Sequence, residues 1–284
     1  MNAERVAAII AQLDTGDDAP TGQEFKLSAD GSLASAPTRR LALLNELTRL
    51  DPKAAAAQAA KILREFKSSD EWAVAMRACA LAHPTPEGRA YLTERFQAMI
   101  GHEPWLKEPS VGFLEAFDVA VHLGGTELMP ALTDLVRRTN NQAVAHAAYL
   151  ALDRLTIAEP ASTLNNLLGQ PDAMKGREIT RANFFARADV SDAPQKTILE
   201  NYLLSFAPAP AELNAFAGLY PSANFMISHN LLTPTPTPEG SQLARQDAAA
   251  LAVVENWLAD PRFEKLRPQL QKIKTRLSHF VPPP

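Results

Sequence analysis

The stretch from Leu128 to Leu152 reads LMPALTDLVRRTNNQAVAHAAYLAL and contains two apolar runs with a polar break between them. In the first run, leucine and valine recur three or four residues apart, the spacing that places side chains on one face of a helix. Asn140 and Asn141 interrupt this pattern, and asparagine favours turns. Alanine then dominates the second run. The stretch therefore predicts two helices joined by a short turn.

The same residues resemble a HEAT-type repeat, most clearly over residues 126–155. In that family the first helix carries a proline and a ladder of leucines, a short polar turn follows, and alanines in the second helix let neighbouring pairs pack closely. Pro130 and the alanines between Ala143 and Ala151 fit this description. Ala145 stands where the repeat usually has arginine, and the turn lacks the family's aspartate. The resemblance implies a superhelix of stacked helix pairs.

The composition of the whole chain extends this prediction. The 284 residues include 49 Ala and 36 Leu against 11 Val and 9 Ile, and alanine and leucine favour helices whereas β-branched residues favour strands. Helical patterns follow one another from Thr38 onward, and the pairs at 38–66 and 70–100 match the repeat in outline. The sequence predicts an all-α fold of stacked antiparallel helix pairs, a degenerate HEAT/ARM-like α-α superhelix. A small β-hairpin near residues 24–33 is the one predicted exception.

Changes in composition divide the chain into three predicted segments. Residues 1–37 hold an N-terminal helix and a long acidic loop, and residues 38–206 form the helical-repeat region. Residues 207–284 combine a proline-rich strap with C-terminal helices that pack on the same unit. Within the strap, threonine and proline alternate from Thr233 to Pro238. This alternation predicts an extended polyproline conformation, because proline lacks the N–H that a helix requires.

Charge, cysteine content and hydropathy bound the class of protein. The net charge of −4 and the pI near 5.9 argue against binding phosphate backbones through overall charge. Cys79 is the only cysteine, so an intramolecular disulfide or a cysteine-based zinc cluster cannot form, and its alanine-rich surroundings predict a buried side chain. No apolar run is long enough for a membrane span. As written, the chain indicates a cytoplasmic protein, or a periplasmic one if a signal or anchor before Met1 was removed.

The sequence motifs of common enzyme classes are absent. The chain has no GxSxG, GxxxxGK[ST] or CxxC motif, and no GxGxxG motif after a strand. Its histidines include no pair three or four residues apart, which excludes an HExxH zinc site. We therefore expect a non-catalytic protein without a cofactor, although the sequence leaves an enzyme open.

Glu115, Asp118 and His122 form the candidate metal site. They lie three and four residues apart, so within one helix they share a face. Carboxylate and imidazole groups can bind a divalent metal, but a carboxylate site in a helical bundle takes matching ligands from facing helices. The sequence offers no second helix with such ligands. The alternative interpretation is a polar stripe in contact with solvent.

Three arginines, Arg177, Arg181 and Arg187, lie beside two adjacent phenylalanines in the run REITRANFFARAD. Arginine next to aromatic rings can stack on nucleic-acid bases or form a protein-binding hot spot. In the alternative interpretation both phenylalanines pack in the core, and Arg177 and Arg181 pair with Glu178 along a helix.

Asn224 and His229 belong to a polar cluster in the irregular segment and are the remaining interaction candidates. Such side chains either bind a ligand or satisfy backbone groups of a buried irregular segment. The three tryptophans, Trp72, Trp105 and Trp257, are scattered along the chain, which predicts packing in the core or at its rim.

Three functions fit these patterns. The first is a non-catalytic protein-interaction or scaffold module, because a helical superhelix offers a long concave surface. The second is a nucleic-acid-binding protein or enzyme that uses the arginine-rich helix, similar to the HEAT-like DNA glycosylases, although the acidic charge argues against nucleic acid. The third is a metal-binding helical protein. We expect another protein as the partner, and the sequence leaves the oligomeric state open.

Overall fold

A computed structural model describes residues 2–204, 208–222, 230–234 and 239–280, and most of these residues are helical. The helices are α1 (Asn2–Asp14), α2 (Arg39–Leu50), α3 (Pro52–Ile62), α4 (Ser69–Ala82), α5 (Pro86–Ile100), α6 (Glu103–Lys107), α7 (Val111–Glu115), α8 (Asp118–Leu123), α9 (Met129–Arg137), α10 (Gln142–Ala158), α11 (Pro160–Gly169), α12 (Glu178–Phe185), α13 (Ala193–Leu204), α14 (Pro210–Leu219), α15 (Gly240–Ala259) and α16 (Arg267–Leu277). Two strands, β1 (Lys26–Leu27) and β2 (Leu33–Ser35), form the only sheet in these ranges. The prediction of an all-α fold with one small hairpin is confirmed.

The chain divides into two compact units, which we describe separately. The first unit comprises residues 1–124, 138–151 and 227–235, and the second comprises residues 125–137, 152–226 and 236–284. The two helices predicted between Leu128 and Leu152 are present as α9 and α10, with Asn140 and Asn141 in the segment between them as expected. Asn141 caps α10, because its side-chain oxygen accepts hydrogen bonds from the amides of Ala143 and Val144. The three segments inferred from composition stay a prediction.

Side-chain caps set the short turns between helices of the first unit. Asp51 ends α2 and also begins α3, where its carboxylate accepts a hydrogen bond of 3.0 Å from the amide of Ala54. Ser68 and Thr85 cap α4 and α5 in the same way. Each cap satisfies an amide that the first helical turn leaves without a partner. Consecutive helices from α2 to α5 therefore pack as neighbours.

Helix α4 forms the centre of the first unit. Every residue from Glu71 to Ala80 is buried, and the helix packs against α2, α3, α5 and α7. The small alanines of this helix let its neighbours approach closely. Cys79 lies on it, and burial raises the pKa of its thiol to about 11. The predicted structural role of this cysteine is confirmed, because a buried thiol with a raised pKa is a poor nucleophile.

The β-hairpin and the acidic loop of residues 14–37 are both held against α2. Strand β1 pairs with β2 in antiparallel orientation. The amide of Leu33 donates a hydrogen bond of 3.0 Å to Oδ1 of Asn45, which lies on α2. Asp18 accepts a hydrogen bond of 2.9 Å from the amide of Arg40 at the start of α2. Long-range hydrogen bonds thus fix a loop that has little regular structure of its own.

The second unit is built around α12, α14 and α16, which contact one another in that order. Its core holds two stacked aromatic pairs, Phe185 with Tyr202 and Phe216 with Tyr220, with ring centroids 4.0 and 5.0 Å apart. Along α16 the buried residues recur at Leu270, Ile273 and Leu277, the spacing expected for a helix with one apolar face. No helix in the described part of the chain is long and apolar enough to cross a membrane.

Candidate interaction site in the first unit

Four rings from different parts of the first unit meet in an aromatic cluster, consisting of Phe66, Trp72, His102 and Trp105. Phe66 lies in the loop between α3 and α4, and Trp72 lies in the first turns of α4. The Phe66 ring is sandwiched between Trp72 and His102, with centroid distances of 4.7 and 4.5 Å and interplanar angles of 22° and 12°. Trp105 contacts the other three rings at distances between 4.7 and 5.4 Å.

The exposed fraction of the four rings increases from Trp72 in the core to Phe66 at the surface. Trp72 is inaccessible and Trp105 is buried, whereas His102 is half-buried and Phe66 is 44% exposed. Backbone contacts fix this arrangement, since the indole N–H of Trp72 donates to the carbonyl of Glu65 at 2.7 Å. Each stacked or tilted pair contributes about 0.5–1.5 kcal/mol beyond the burial of area. The partly exposed Phe66 ring is therefore held in one orientation.

A polar cavity of 170 Å³ lies beside the loop that carries Phe66. Glu65 and Lys67, the neighbours of Phe66 in sequence, both line it. The remaining lining residues come from α1, α2, α3 and α4 and the segments next to them: Leu13, Asp14, Gly16, Arg40, Gln58, Lys61, Ile62, Ser68 and Glu71. One loop thus contributes to a polar cavity and to an aromatic cluster.

The cations that line the polar cavity are paired with carboxylates. Nε of Arg40 lies 2.8 Å from Oε1 of Glu71, and both side chains are largely buried. Lys61 and Asp14 lie 2.6 Å apart. The hydrogen bond from Lys61 is the main cause that lowers the pKa of the Asp14 carboxyl below its usual value.

Lys67 in turn pairs with Glu65 at 2.5 Å. The described lining includes no histidine or cysteine, and its carboxylates serve ion pairs. This arrangement suits contact with a polar surface better than acid–base or nucleophilic chemistry.

The three candidate metal ligands lie at a break between two short helices. Glu115 ends α7, whereas Asp118 and His122 belong to α8, so the single helical face that the prediction assumed is interrupted at residues 116–117. Asp118 accepts hydrogen bonds of 2.6 and 2.8 Å from the amides of Leu232 and Thr233. Across the described residues, no group of three histidine, cysteine, aspartate or glutamate side chains could hold a metal.

His122 lies beside the cationic side chain of Arg89. Burial and the nearby Arg89 guanidinium lower the pKa of its imidazole. Arg89 itself donates hydrogen bonds to the backbone carbonyls of His122 and Leu123. This end of α8 is thus capped by a cation, which makes it a poor place for a second positive charge.

The arginine candidates of the second unit do not form one surface. Arg181 pairs with Glu212 at 3.2 Å, and their side chains are 7% and 4% exposed. Arg187 makes a two-pronged pair with Asp153, with distances of 2.5 and 2.7 Å. Arg177 precedes α12 and is half-buried. Arg181 and Arg187 thus both form ion pairs inside the second unit, and the interaction role of the three arginines stays a prediction.

The rest of the arginine-rich run follows the structural alternative in part. Phe184 and Phe185 are fully buried, as that alternative predicted. The acidic partner of Arg181, however, is Glu212 rather than Glu178, because α12 packs against α14. Asn224 and His229 lie outside the described residues.

The aromatic cluster is the feature that sequence patterns missed. The scattered tryptophans predict packing in the core or at its rim, and all three are buried, with Trp257 stacked on Phe263 in the second unit. Trp72 and Trp105, however, lie 5.4 Å apart although 33 residues separate them. A separation of about the length of one two-helix unit is the one feature of the sequence that could have suggested this contact.

Comparisons with known proteins add no further support for any function. No protein-family model, curated protein or solved structure matches the chain.

Proposed function

We propose that the protein is a non-catalytic protein-interaction module and that the aromatic cluster of the first unit contacts its partner. Phe66 carries this proposal, because a large apolar ring is 44% exposed while two other rings clamp its faces. Aromatic side chains are enriched among the residues that dominate protein–protein affinity. A ring that is already fixed loses little conformational entropy on binding.

The surroundings of Phe66 match the anatomy of a protein interface. Lys67 and Glu65 flank the ring in sequence, and their side chains are largely exposed. Interfaces commonly combine an apolar centre with a polar rim that excludes water from it. The partner that fits is a protein surface with an apolar side chain for Phe66 and polar groups for its neighbours.

The HEAT-like interpretation supports the same proposal. Helices α2 to α5 pack as consecutive neighbours, and α9 and α10 flank the asparagine turn of the stretch that resembles a HEAT-type repeat. Proteins of stacked helix pairs use their surfaces mainly to bind other macromolecules. This support rests on analogy of fold, whereas Phe66 supplies the specific site.

A comparison of binding partners tests the proposal. Tagged chains carrying Phe66→Ala, Phe280→Ala or no substitution would be used to capture proteins from cell extract, with quantitative mass spectrometry as the readout. Phe280 is the matched control, since it is 69% exposed but lies in the second unit. We expect at least one protein to be depleted at least tenfold by Phe66→Ala and retained by Phe280→Ala. Equal recovery of all captured proteins by the three chains would contradict the proposal.

A further inference from the structure

A short segment far along the chain is bound within the first unit. We call residues 230–234, which read NLLTP, the clasp segment. Its cradle consists of Arg77 on α4, Asp118 on α8 and residues 28–31. The clasp segment is neither helix nor strand, so groups of the cradle must satisfy its backbone.

Asp118 binds one side of the clasp segment. Its Oδ2 accepts hydrogen bonds from the amides of Leu232 and Thr233, and its Oδ1 accepts one from the hydroxyl of Thr233. Asp118 is only 2% exposed. A buried carboxylate that accepts two consecutive amides and a hydroxyl selects a threonine, or another residue with a hydroxyl, at this position.

Arg77 and the hairpin turn bind the other side. Nε of Arg77 donates to the carbonyl of Leu231 at 3.0 Å, while its Nη2 donates to the carbonyl of Asp30 at 3.1 Å. Asn230 donates to the carbonyls of Ser28 and Ala29. Leu231 is completely buried. The cradle therefore contacts two side chains, a leucine and a threonine two residues later. It also binds the backbone between them.

The cradle binds the clasp segment through charged side chains as well as apolar contacts. Burying a charged group is costly, and apolar side chains of similar size would hold a permanent attachment at least as well. Arg77 is 8% exposed, and burial lowers the pKa of its guanidinium. If the clasp segment leaves, water can solvate Arg77 and Asp118, which reduces the free energy lost on opening. An apolar cradle would gain nothing from water.

We propose that the cradle is a peptide-binding site for extended segments with a leucine two residues before a threonine, and that the clasp segment occupies it as an internal competitor. A partner protein with this pattern would displace the clasp segment and take over its hydrogen bonds. This site is separate from the aromatic cluster, so either proposal can fail while the other stands.

A fluorescently labelled peptide with the sequence of residues 228–236, SHNLLTPTP, provides the probe. Fluorescence anisotropy would measure its affinity for the full chain and for a variant carrying Leu231→Gly and Thr233→Gly, which vacates the cradle. A tethered segment competes at an effective concentration in the millimolar range, so we expect the variant to bind the peptide at least tenfold more tightly than the unaltered chain. Adding Asp118→Asn to the variant should weaken binding at least tenfold.

Two controls define the outcome. Glu264→Gln changes an exposed carboxylate of the second unit and should leave the affinity of the glycine variant for the peptide unchanged. A peptide with Leu231 and Thr233 both replaced by alanine should not bind the glycine variant. If the glycine variant binds the labelled peptide no more tightly than the unaltered chain, or if Asp118→Asn has no effect, the proposal is wrong.

Hydrogen exchange on the unaltered chain tests the same idea without a change in sequence. A reversible clasp opens by itself, so the amides of Leu232 and Thr233 should exchange at least a hundredfold faster than the amides of Met76 and Cys79 at the centre of α4. Equal protection of the two sets would show that the clasp segment leaves only on global unfolding, which would overturn the proposal. This measurement decides the matter if the glycine variant does not fold.

Discussion

Arginine forms ion pairs with carboxylates both in the buried interior and at the surface of this chain. The pair of Arg187 and Asp153 is inside the second unit, where burial raises the pKa of the Asp153 carboxyl despite its two hydrogen bonds from Arg187. The pair of Arg267 and Glu264 has similar distances but lies in solvent. Truncating one partner of a buried pair leaves the other charge without compensation, whereas solvent compensates an exposed charge.

Arg187→Ala should therefore lower the free energy of unfolding by about 3–5 kcal/mol, whereas Arg267→Ala should leave it nearly unchanged. Urea denaturation of the two variants and the unaltered chain measures both values. Equal effects would show that Asp153 finds water or another partner once Arg187 is removed.

At the scale of elements, the turn of the β-hairpin lies directly against the clasp segment. Gly31 has a φ of 76° in the hairpin turn, and a Cβ built on it would lie 2.6 Å from the carbonyl oxygen of Asn230 and closer still to that of Leu231. Gly16 also has a φ of 76°, but nothing lies within 4 Å of its Cβ position. The two glycines share a backbone conformation and differ in available space.

Alanine at these two positions separates backbone strain from steric conflict. Gly16→Ala should cost about 1–2 kcal/mol through the left-handed backbone alone. Gly31→Ala should cost about 1–3 kcal/mol more, because the clasp segment or the turn must shift. Thermal unfolding of both variants gives the difference, and equal losses would mean that the close approach of the clasp segment does not constrain Gly31.

The helices and their turns follow from local patterns, because caps and apolar spacing act over a few residues. Asn141 and Asp51 are examples, since each side chain bonds to amides two or three residues away. The break at residues 116–117 could not be predicted in this way. Neither glycine nor proline lies there, and Phe117 instead packs edge-to-face on Phe96 and Phe113, so tertiary packing overrides a helical pattern.

The candidate sites depend on contacts that no local pattern encodes. Phe66 is exposed but fixed because a ring 36 residues later stacks on it, and Asp118 is occupied by a segment 114 residues away. Ion pairs are equally hard to predict from local patterns, because 34 residues separate Asp153 from Arg187. Composition predicted the class of fold, but the choice among partners for each polar group is made only when the helices pack.

At the scale of the whole molecule, stability should depend on pH through carboxyl groups whose pKa values shift in opposite directions on folding. Burial is the main cause that raises the pKa of the Glu212 carboxyl, although Tyr202 and Arg181 both donate to it. The hydrogen bond from Arg5 is the main cause that lowers the pKa of the Glu46 carboxyl. A raised pKa in the folded state means that the folded chain binds more protons, so this contribution to stability falls as pH rises above the unfolded value. A lowered pKa has the opposite sign.

Glutamine at each position removes the titration but keeps the side-chain shape. Between about pH 4 and about pH 7, the free energy of unfolding of the unaltered chain minus that of Glu212→Gln should decrease as pH rises. The same difference for Glu46→Gln should increase, because ionised Glu46 gains its bond to Arg5 only in the folded chain. Urea denaturation at several pH values measures both slopes. Slopes of the same sign would contradict this prediction. They would mean that Glu212 is solvated as well in the folded chain as in the unfolded one, because burial is the main cause of its raised pKa.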